Sequence, residues 1–233
     1  MSKAGTTAFL VAIDGPAGAG KSTVSRRVAE RLGFAMVDTG AIYRTVALAA
    51  VQNGVAFDDD AALGALLARL HIEFRPRPSG GQAVFLDGQD VSLAIRTPEI
   101  SRAASSVSAR QVVRDGLLGL QRRLARAAAK GAVLEGRDIG TVVFPDADAK
   151  FFVTARPDVR AARRHGELVA RGDTITLAEV LADQNQRDKD DMERAIAPLK
   201  PADDALVVDT SDLSMDEVVD RIVREVEKRL ALR

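Results

Sequence analysis

A glycine-rich segment near the start of the chain constrains the fold more strongly than any other. It follows the apolar run Phe9–Ile13, which predicts a buried strand, and precedes Val24–Ala29, which predicts a helix. The segment has the sequence Gly15-Pro16-Ala17-Gly18-Ala19-Gly20-Lys21-Ser22-Thr23. A strand, the pattern G-x-x-x-x-G-K-[ST] and a helix, in that order, define a phosphate-binding loop, and we call this segment the P-loop. The chain is therefore predicted to adopt an α/β fold that binds a phosphorylated ligand.

The residue types of the P-loop suit this role. Glycines let backbone N–H groups turn toward an anion, and the positive end of the following helix dipole faces the same point. Lys21 is expected to reach the β- and γ-phosphates of a nucleotide, and the Ser22 hydroxyl is expected to coordinate Mg²⁺. A glycine-rich turn can also be purely structural, but the complete motif between a strand and a helix favours phosphate binding.

Composition narrows the class of protein. The 233 residues suffice for one large α/β domain, and 46% of them are hydrophobic. The 33 basic residues are balanced by 33 acidic ones, and only 4% of residues are aromatic, so neither net charge nor stacking rings favour nucleic acid. The chain has no cysteine for a disulfide or a thiolate, Met1–Ala8 is unlike a signal peptide, and no apolar run spans a membrane. These features predict a soluble, cytoplasmic protein.

Strand and helix patterns alternate after the P-loop, which predicts a parallel sheet with crossover helices. Further buried strands are expected at Phe34–Val37, Ala132–Leu134, Lys150–Thr154 and Leu206–Asp209. Helices are expected from the P-loop to Leu32 and over Ile42–Asn53, 58–70, Thr97–Ser105, Arg110–Ala129, Arg156–Gly172, Thr176–Arg194 and from Ser214 onward. Two of these helices begin with a capping box, at Thr176 and at Ser214.

The alternation breaks between residues 71 and 91. His71–Arg75 and Gln82–Leu86 have strand-like patterns, Pro76–Gly81 is turn-rich, and Asp87-Gly88 is a hairpin signal before Gln89–Val91. A small antiparallel sheet inserted into the α/β core is therefore expected. It can be a structural insert or a substrate-binding subdomain, and the pattern alone leaves both open.

Polar residues follow several of the predicted parallel strands. The strand ends carry the P-loop, then Asp38-Thr39-Gly40, then Glu135-Gly136-Arg137-Asp138. Ligands of open parallel sheets bind beyond the carboxyl ends of the strands. Each segment alone is compatible with a solvated loop, but the three together predict a functional site at that rim.

Several blocks resemble bacterial cytidylate kinases, over nearly the whole chain from about Phe9 to the C-terminal helix. The first block, in the P-loop, is shared with many phosphate-binding enzymes. The more specific blocks are Asp38-Thr39-Gly40-Ala41-Ile42-Tyr43-Arg44, Glu135–Pro145 (EGRDIGTVVFP), and Arg187-Asp188-x-x-Asp191 followed by Arg194. Thr39 stands where relatives often have Ser, and Glu135 where some have Asp, so both departures keep the functional group.

The resemblance implies a fold and a reaction. The fold is a P-loop three-layer α/β/α kinase with core residues 1–38, 109–155 and 173–233, a nucleoside-monophosphate-binding subdomain at 39–108 that holds the inserted sheet, and a short helical lid at 156–172. The reaction is ATP-dependent conversion of CMP or dCMP to the diphosphate, with Mg²⁺, in pyrimidine metabolism. A monomer with no nucleic-acid or membrane partner is expected.

The resemblance also implies residue roles. Lys21, Arg137 and Arg187 would be catalytic. The CMP phosphate would be held by Tyr43, Arg44, Arg137 and Arg187, cytosine would be read by Ser105, Arg114 and Asp138, the sugar would be held by Asp191 and Arg194, and Thr39 would complete this site. The lid arginines would be Arg156, Arg160, Arg163 and Arg164.

The chemistry explains why such a chain needs arginines but no general base. A phosphate monoester has a second pKa of about 6, so the acceptor is already mostly dianionic at neutral pH. Two like charges about 4 Å apart repel by roughly 4 kcal/mol at an effective dielectric near 20, and Mg²⁺, Lys21 and guanidinium groups would offset that repulsion. Arg122, Arg123 and Arg126 are instead expected on solvated helix faces.

Three other classes of protein remain as alternatives. A kinase with the same loop could act on another nucleotide or on a metabolite such as shikimate. A nucleotide switch is disfavoured because the chain has no Asn-Lys-x-Asp motif. A nucleic-acid-binding module is disfavoured by the neutral charge and the scarcity of aromatic residues.

Overall fold

The structure is a computed structural model that describes residues 8–77 and 81–233. It divides into two compact units, one of residues up to Val37 together with Arg122–Arg233, and one of Asp38–Gln121. The predicted polar N-terminal segment lies outside the described residues, except for Ala8, as do residues 78–80 of the predicted turn.

The strands in chain order are β1 (Phe9–Asp14), β2 (Ala35–Asp38), β3 (Ile72–Pro76), β4 (Gln82–Leu86), β5 (Gln89–Asp90), β6 (Gly131–Glu135), β7 (Ala149–Thr154) and β8 (Leu206–Asp209). The α-helices are α1 (Lys21–Leu32), α2 (Thr39–Gln52), α3 (Asp60–Leu67), α4 (Pro98–Ser108), α5 (Gln111–Arg126), α6 (Pro157–Val169), α7 (Leu177–Glu193) and α8 (Met215–Ala231). A 3₁₀ turn at Ala94–Arg96 and a π-helical turn at Ile139–Val143 complete the described regular structure.

The first unit is built on a five-stranded sheet in the order β2-β6-β1-β7-β8. The pairs β1–β6, β1–β7 and β7–β8 are parallel, with Ile13 opposite Glu135 and Asp14 opposite Phe152. This register brings the ends of β1 and β6 to the same edge of the sheet. The predicted α/β fold with a parallel central sheet is confirmed.

The core of this unit lies between the sheet and helices α1 and α8. Val24 and Val28 of α1 are fully buried with Val11 and Ile13 of β1. Helix α8 contributes an amphipathic stripe at helical spacing, Val218, Val219, Ile222, Val223 and Val226. Both predicted capping boxes are present, which fixes the starts of α7 and α8.

The second unit contains the predicted antiparallel insert. Its three strands follow the order β3-β4-β5, and Leu86 pairs with Gln89 across a two-residue turn. Asp87 and Gly88 both have positive φ, 49° and 85°, as a type I′ hairpin turn requires.

Among the described residues, no helix is long and apolar enough to cross a bilayer.

Two sequence predictions are corrected by the structure. Helix α2 begins at Thr39 rather than near Ile42, because the Asp38 side chain accepts a hydrogen bond from the Ala41 N–H and caps the helix three residues earlier. Arg122 is not on a solvated face: it is half-buried, and its Nε donates to the Val143 carbonyl at 3.1 Å. Arg123 and Arg126 are exposed, as predicted.

Candidate active site

The P-loop fits closely against the neighbouring strand. Gly15 has φ +146°, and a Cβ placed there would lie 1.9 Å from the carbonyl oxygen of Val153 in β7. No other residue type fits this approach. Gly20 caps α1 in the left-handed conformation, with φ 84°, which turns the chain into the helix. The loop therefore places the positive end of α1 directly after β1.

Lys21 is folded back onto the P-loop. Its Nζ donates to the Pro16 carbonyl at 2.7 Å, and the residue is only 4% exposed. Burial, and next the positive charge of Arg137, lower the pKa of Lys21 to about 7. Because the charged form of Lys21 is destabilised in the free protein, a bound anion is expected to stabilise it strongly.

Ser22 lies opposite a carboxylate. Its hydroxyl donates to Glu135 Oε1 at 2.7 Å, and Glu135 ends β6. A hydroxyl and a carboxylate side by side are hard oxygen donors, which fit Mg²⁺ bound mainly by waters and substrate phosphates. The described residues contain no cluster of three or more His, Cys, Asp or Glu that would form an all-protein metal cage. The donor set therefore suits an Mg²⁺ ion that enters with a nucleotide.

Three cations of the first unit act on one another electrostatically. Burial, and next Arg137, lower the pKa of Arg187, and Arg164 adds to this shift. Burial lowers the pKa of Arg137 as well, but nearby carboxylates, Asp191 first, raise it overall. The Nε of Arg187 is buried without a hydrogen-bond partner in the described structure. The guanidinium of Arg187 is therefore a donor suited to an anionic ligand.

A chain of ion pairs links two segments of the predicted site. Asp138 lies 3.9 Å from Nη2 of Arg194, Arg194 Nη1 lies 3.7 Å from Asp191, and Asp191 accepts from Arg137 Nε at 3.0 Å. Arg187 and Asp191 are one helical turn apart on α7, so the spacing presents both on one face. Within the first unit, the structure thus brings together Arg137, Asp138, Asp191 and Arg194, four of the residues that the family resemblance assigned to the phosphate, the base and the sugar.

The predicted lid arginines, three in α6 and Arg156 just before it, are mostly bonded to other elements. Arg160 is buried, pairs with Asp188 at 2.6 Å and donates to the Ala17 carbonyl of the P-loop at 2.8 Å. Arg156 pairs with Asp212, and Arg163 donates to the Thr210 carbonyl. Arg164 pairs within its own helix, with Glu167 at 3.0 Å. These contacts fix the start of α6 to the core, and the lid role stays a prediction.

The second unit carries its own part of the predicted set. Arg44 Nη2 lies 3.0 Å from Asp38 Oδ2, and a Cβ at Gly40 would lie 2.9 Å from the Arg44 guanidinium. A side chain at residue 40 would therefore displace the Arg44 guanidinium from this position over the start of α2. Thr39, the first residue of α2, is buried.

Arg114 connects Tyr43 with the part of α4 that carries Ser105. Its guanidinium carbon lies 5.8 Å from the Tyr43 ring centroid, and its Nη1 donates to the Ser108 carbonyl at 3.2 Å. The Ser108 hydroxyl in turn donates to the Ser105 carbonyl at 3.0 Å. Tyr43, Ser105 and Arg114 thus lie on α2, α4 and α5 and are connected through one buried guanidinium, whereas Arg44 pairs with Asp38.

Sequence reasoning missed two residues that organise the site. Asp14 ends β1 and accepts two backbone hydrogen bonds from the segment after Asp138. Asp188 pairs with Arg160 next to the P-loop. A carboxylate that closes an otherwise apolar strand was a visible signal for Asp14. Asp188 lies in the Arg187-Asp188-x-x-Asp191 block, but nothing in that block indicated its pairing with Arg160, which is 28 residues away in the chain.

A parallel α/β sheet with a P-loop, a serine beside a carboxylate and a group of basic side chains that act on one another electrostatically defines the P-loop class of phosphoryl-transfer proteins. The family model for cytidylate kinase matches residues 11–228. The chain is 53% identical over 231 residues to the cytidylate kinase of Geobacter sulfurreducens, which covers 98% of each chain. It is 45% identical to that of Pseudomonas aeruginosa, over 94% of this chain and 96% of the relative. The chain belongs to the cytidylate kinase family, and it is a kinase.

Proposed function

We propose that this protein transfers the γ-phosphoryl group of ATP to CMP and dCMP, giving CDP or dCDP and ADP, as a step of pyrimidine nucleotide metabolism. The family supports the substrate class. The observation that carries the chemistry is the group formed by Lys21, Arg137 and Arg187, in which burial, and next the charge of Arg137, lower the pKa of Lys21 and of Arg187. Such cations are stabilised when two phosphate groups lie between them.

The P-loop is proposed to hold ATP. Residues Gly15–Thr23 would direct backbone N–H groups to the phosphates, and Lys21 would exchange its bond to the Pro16 carbonyl for bonds to phosphate oxygens. The Ser22 hydroxyl, beside Glu135, would help to hold Mg²⁺. Bound Mg²⁺ supplies neutralisation of phosphate charge.

The acceptor is proposed to be bound by the residues that the family resemblance assigns to CMP. Its phosphate would be bound by Tyr43, Arg44, Arg137 and Arg187, its cytosine by Ser105, Arg114 and Asp138, and its sugar by Asp191 and Arg194, with Thr39 completing the site. A phosphate oxygen of CMP attacks the γ-phosphorus while the bond to the β–γ bridging oxygen breaks and ADP leaves. The attacking phosphate is already dianionic near neutral pH, so no protein base is required.

Residues 156–172, which contain α6, are proposed to form a lid that excludes water, because water otherwise competes as the nucleophile. Arg164 is best suited to reach a phosphate, because its ion pair lies within its own helix and its charge already acts on Arg187. Arg156, Arg160 and Arg163 are proposed to anchor this lid. We further propose a monomer that acts in the cytoplasm, a reducing compartment that suits a chain without cysteine.

The direct test of this function is ADP formation with each acceptor in turn. Purified protein with Mg²⁺ and ATP is expected to produce ADP rapidly with CMP and dCMP, and far more slowly with UMP, AMP or shikimate. A faster rate with AMP or shikimate than with CMP would contradict the proposal. A rate independent of any acceptor would indicate hydrolysis instead.

Replacing Asp138 with alanine tests how cytosine is recognised. A carboxylate accepts from the N4 amino group of cytosine, whereas uracil presents an acceptor at the same position. Asp138→Ala is expected to lower kcat/KM for CMP by about 10- to 100-fold and the CMP/UMP ratio by a similar factor, with KM for ATP unchanged. Steady-state kinetics with both acceptors measure this, and Asp190→Ala on an exposed face of α7 is the control. An unchanged CMP/UMP ratio would show that Asp138 does not contact the base.

Nucleotide binding is expected to take up a proton at Lys21. With its pKa lowered to about 7, the amine is mostly neutral at pH 8, and bound phosphates raise that pKa again. Uptake of up to about 0.9 proton per ADP is expected at pH 8, falling toward zero below pH 6. Calorimetric titrations in two buffers of different ionisation enthalpy measure it. Binding without proton uptake at pH 8 would show that Lys21 is already charged in the free protein.

A further inference from the structure

The carboxylate of Asp14 joins the end of β1 to the segment that follows β6. Its two oxygens accept hydrogen bonds from the consecutive N–H groups of Ile139 and Gly140, each at 2.8 Å. Asp14 is 5% exposed and immediately precedes the P-loop. It has no place among the proposed substrate contacts.

The segment that Asp14 holds contains Arg137 and Asp138. Immediately before this dipeptide in the chain, the Gly136 N–H donates to the Ile13 carbonyl at 3.1 Å. Immediately after it, the Ile139 and Gly140 N–H groups donate to Asp14. The dipeptide is thus tied at both ends to the last two residues of β1, the strand that leads into the P-loop.

The rest of the segment is fixed independently. The π-helical turn Ile139–Val143 closes with a bond from the Phe144 N–H to the Ile139 carbonyl at 2.7 Å. Lys150 Nζ donates to the Pro145 carbonyl, and Arg122 Nε donates to the Val143 carbonyl. Asp14 therefore holds the start of the π-helical turn next to Arg137 and Asp138, where the Asp138 carbonyl also accepts from the Val142 and Val143 N–H groups at 2.9 and 3.2 Å. The Asp14 carboxylate is the link from this end of the turn to β1.

The environment of Asp14 favours these two bonds. Burial raises the pKa of Asp14 to about 6, while the Gly140 and Ile139 N–H groups oppose this rise, so the carboxylate is ionised at neutral pH. Asp138 and Lys21 are the charged side chains that act on it, in opposite directions. Gly140 leaves little room for another arrangement, because a Cβ there would lie 3.2 Å from Lys150 Cδ and 3.5 Å from Asp14 Oδ2.

We infer that Asp14 is a positioning residue for the proposed reaction. It fixes the Arg137–Asp138 dipeptide against the strand end that carries the P-loop, and so sets the acceptor contacts relative to the donor phosphates. This inference rests on the proposed function, since it assigns to Asp14 the placement of two proposed CMP contacts.

The test is Asp14→Asn, which keeps the shape but replaces one acceptor oxygen with an NH₂ group. That donor faces a backbone N–H, so one tie is lost and the dipeptide gains freedom. KM for CMP is expected to rise about 10-fold or more, the CMP/UMP ratio to fall, and KM for ATP to stay within about twofold. A role in folding alone would lower kcat with the folded fraction and leave KM for CMP and the CMP/UMP ratio unchanged.

The matched control is Asp148→Asn. Asp148, just before β7, accepts a hydrogen bond from the Leu10 N–H at 2.7 Å, so the same chemical change is made at a carboxylate that also bonds to β1, but at the end of β1 away from the site. Its kinetic constants are expected to equal those of the unmodified protein. Equal losses in the two variants, or an unchanged KM for CMP in folded Asp14→Asn protein, would overturn the inference.

A second variant decides the matter if Asp14→Asn does not fold. Gly140→Ala keeps the carboxylate but adds a Cβ 3.2 Å from Lys150 Cδ, so that Lys150 or the backbone bonded to Asp14 must shift by a few tenths of an ångström. It is expected to raise KM for CMP and lower the CMP/UMP ratio in the same direction, and values equal to those of the unmodified protein would refute the positioning role. If the unmodified protein itself fails to phosphorylate CMP, it is the proposed function that fails.

Discussion

Lys21→Met is expected to lower kcat by about 10²- to 10³-fold while leaving the fold intact. Methionine has nearly the same length as lysine, so its side chain still fills the buried site. Methionine has no positive charge, however, and cannot stabilise the negative charge of the phosphoryl group during transfer. The ammonium is buried and repelled by Arg137, which lowers its pKa to about 7, so its removal costs the free protein little stability. Single-turnover kinetics and thermal denaturation of the same preparation measure the two effects.

The control for this variant is Lys130→Met, an exposed lysine just before β6 that takes no part in the proposed site. It is expected to match the unmodified protein in both measurements. If Lys21→Met retained kcat within about threefold, Lys21 would not stabilise the transition state, and the electrostatic account of the P-loop would fail.

Gly15→Ala is expected to have the largest effect on stability. The added Cβ would lie 1.9 Å from the Val153 carbonyl oxygen, a distance that no alanine can adopt, and φ +146° is itself strained for a residue with a side chain. Either β1 and β7 separate or the P-loop moves. We expect a loss of about 3 kcal/mol or more in the free energy of unfolding, about 6–12 °C in Tm, and loss of ATP binding.

Gly54→Ala separates the effect of steric overlap from the effect of backbone strain. Gly54 also has a positive φ, +63°, but a Cβ there meets no atom within 4 Å, so only backbone strain is added. A smaller loss of about 1 kcal/mol is expected, with unchanged kinetics. Equal melting temperatures for the two variants would show that the close approach of Gly15 to Val153 does not matter. Differential scanning calorimetry and nucleotide titration measure both.

Local signals allowed much of the fold to be predicted from the sequence. The P-loop motif, the buried strands, the Asp87-Gly88 turn and the two capping boxes each depend on residues within a few positions of one another. The order of the sheet does not, because it depends on pairings such as Ile13 with Glu135 across more than a hundred residues. Parallel pairing at such distances leaves no periodic trace in the sequence.

In the candidate site, too, residues in local motifs were predictable and contacts between distant residues were not. Lys21 and Arg137 stood out because each lies in a contiguous segment at a strand end, whereas Arg187 was assigned through the family resemblance. The tie between Asp14 and Gly140 joins residues 126 positions apart, and the π-helical turn it stabilises has no sequence signature of its own. The early start of α2 was missed for a related reason: Asp38 serves both as the helix cap and as the partner of Arg44, and neither role follows from its position at a strand end.

The central claim is that guanidinium groups and Lys21 neutralise two phosphate chains that face each other. A crystal structure with CMP and a non-hydrolysable ATP analogue tests it most directly. The account predicts CMP phosphate oxygens within about 3 Å of the guanidinium groups of Arg137 and Arg187, with Arg44 also in contact and Lys21 turned from Pro16 to the ATP phosphates. A CMP phosphate bound away from Arg44, Arg137 and Arg187 would contradict it.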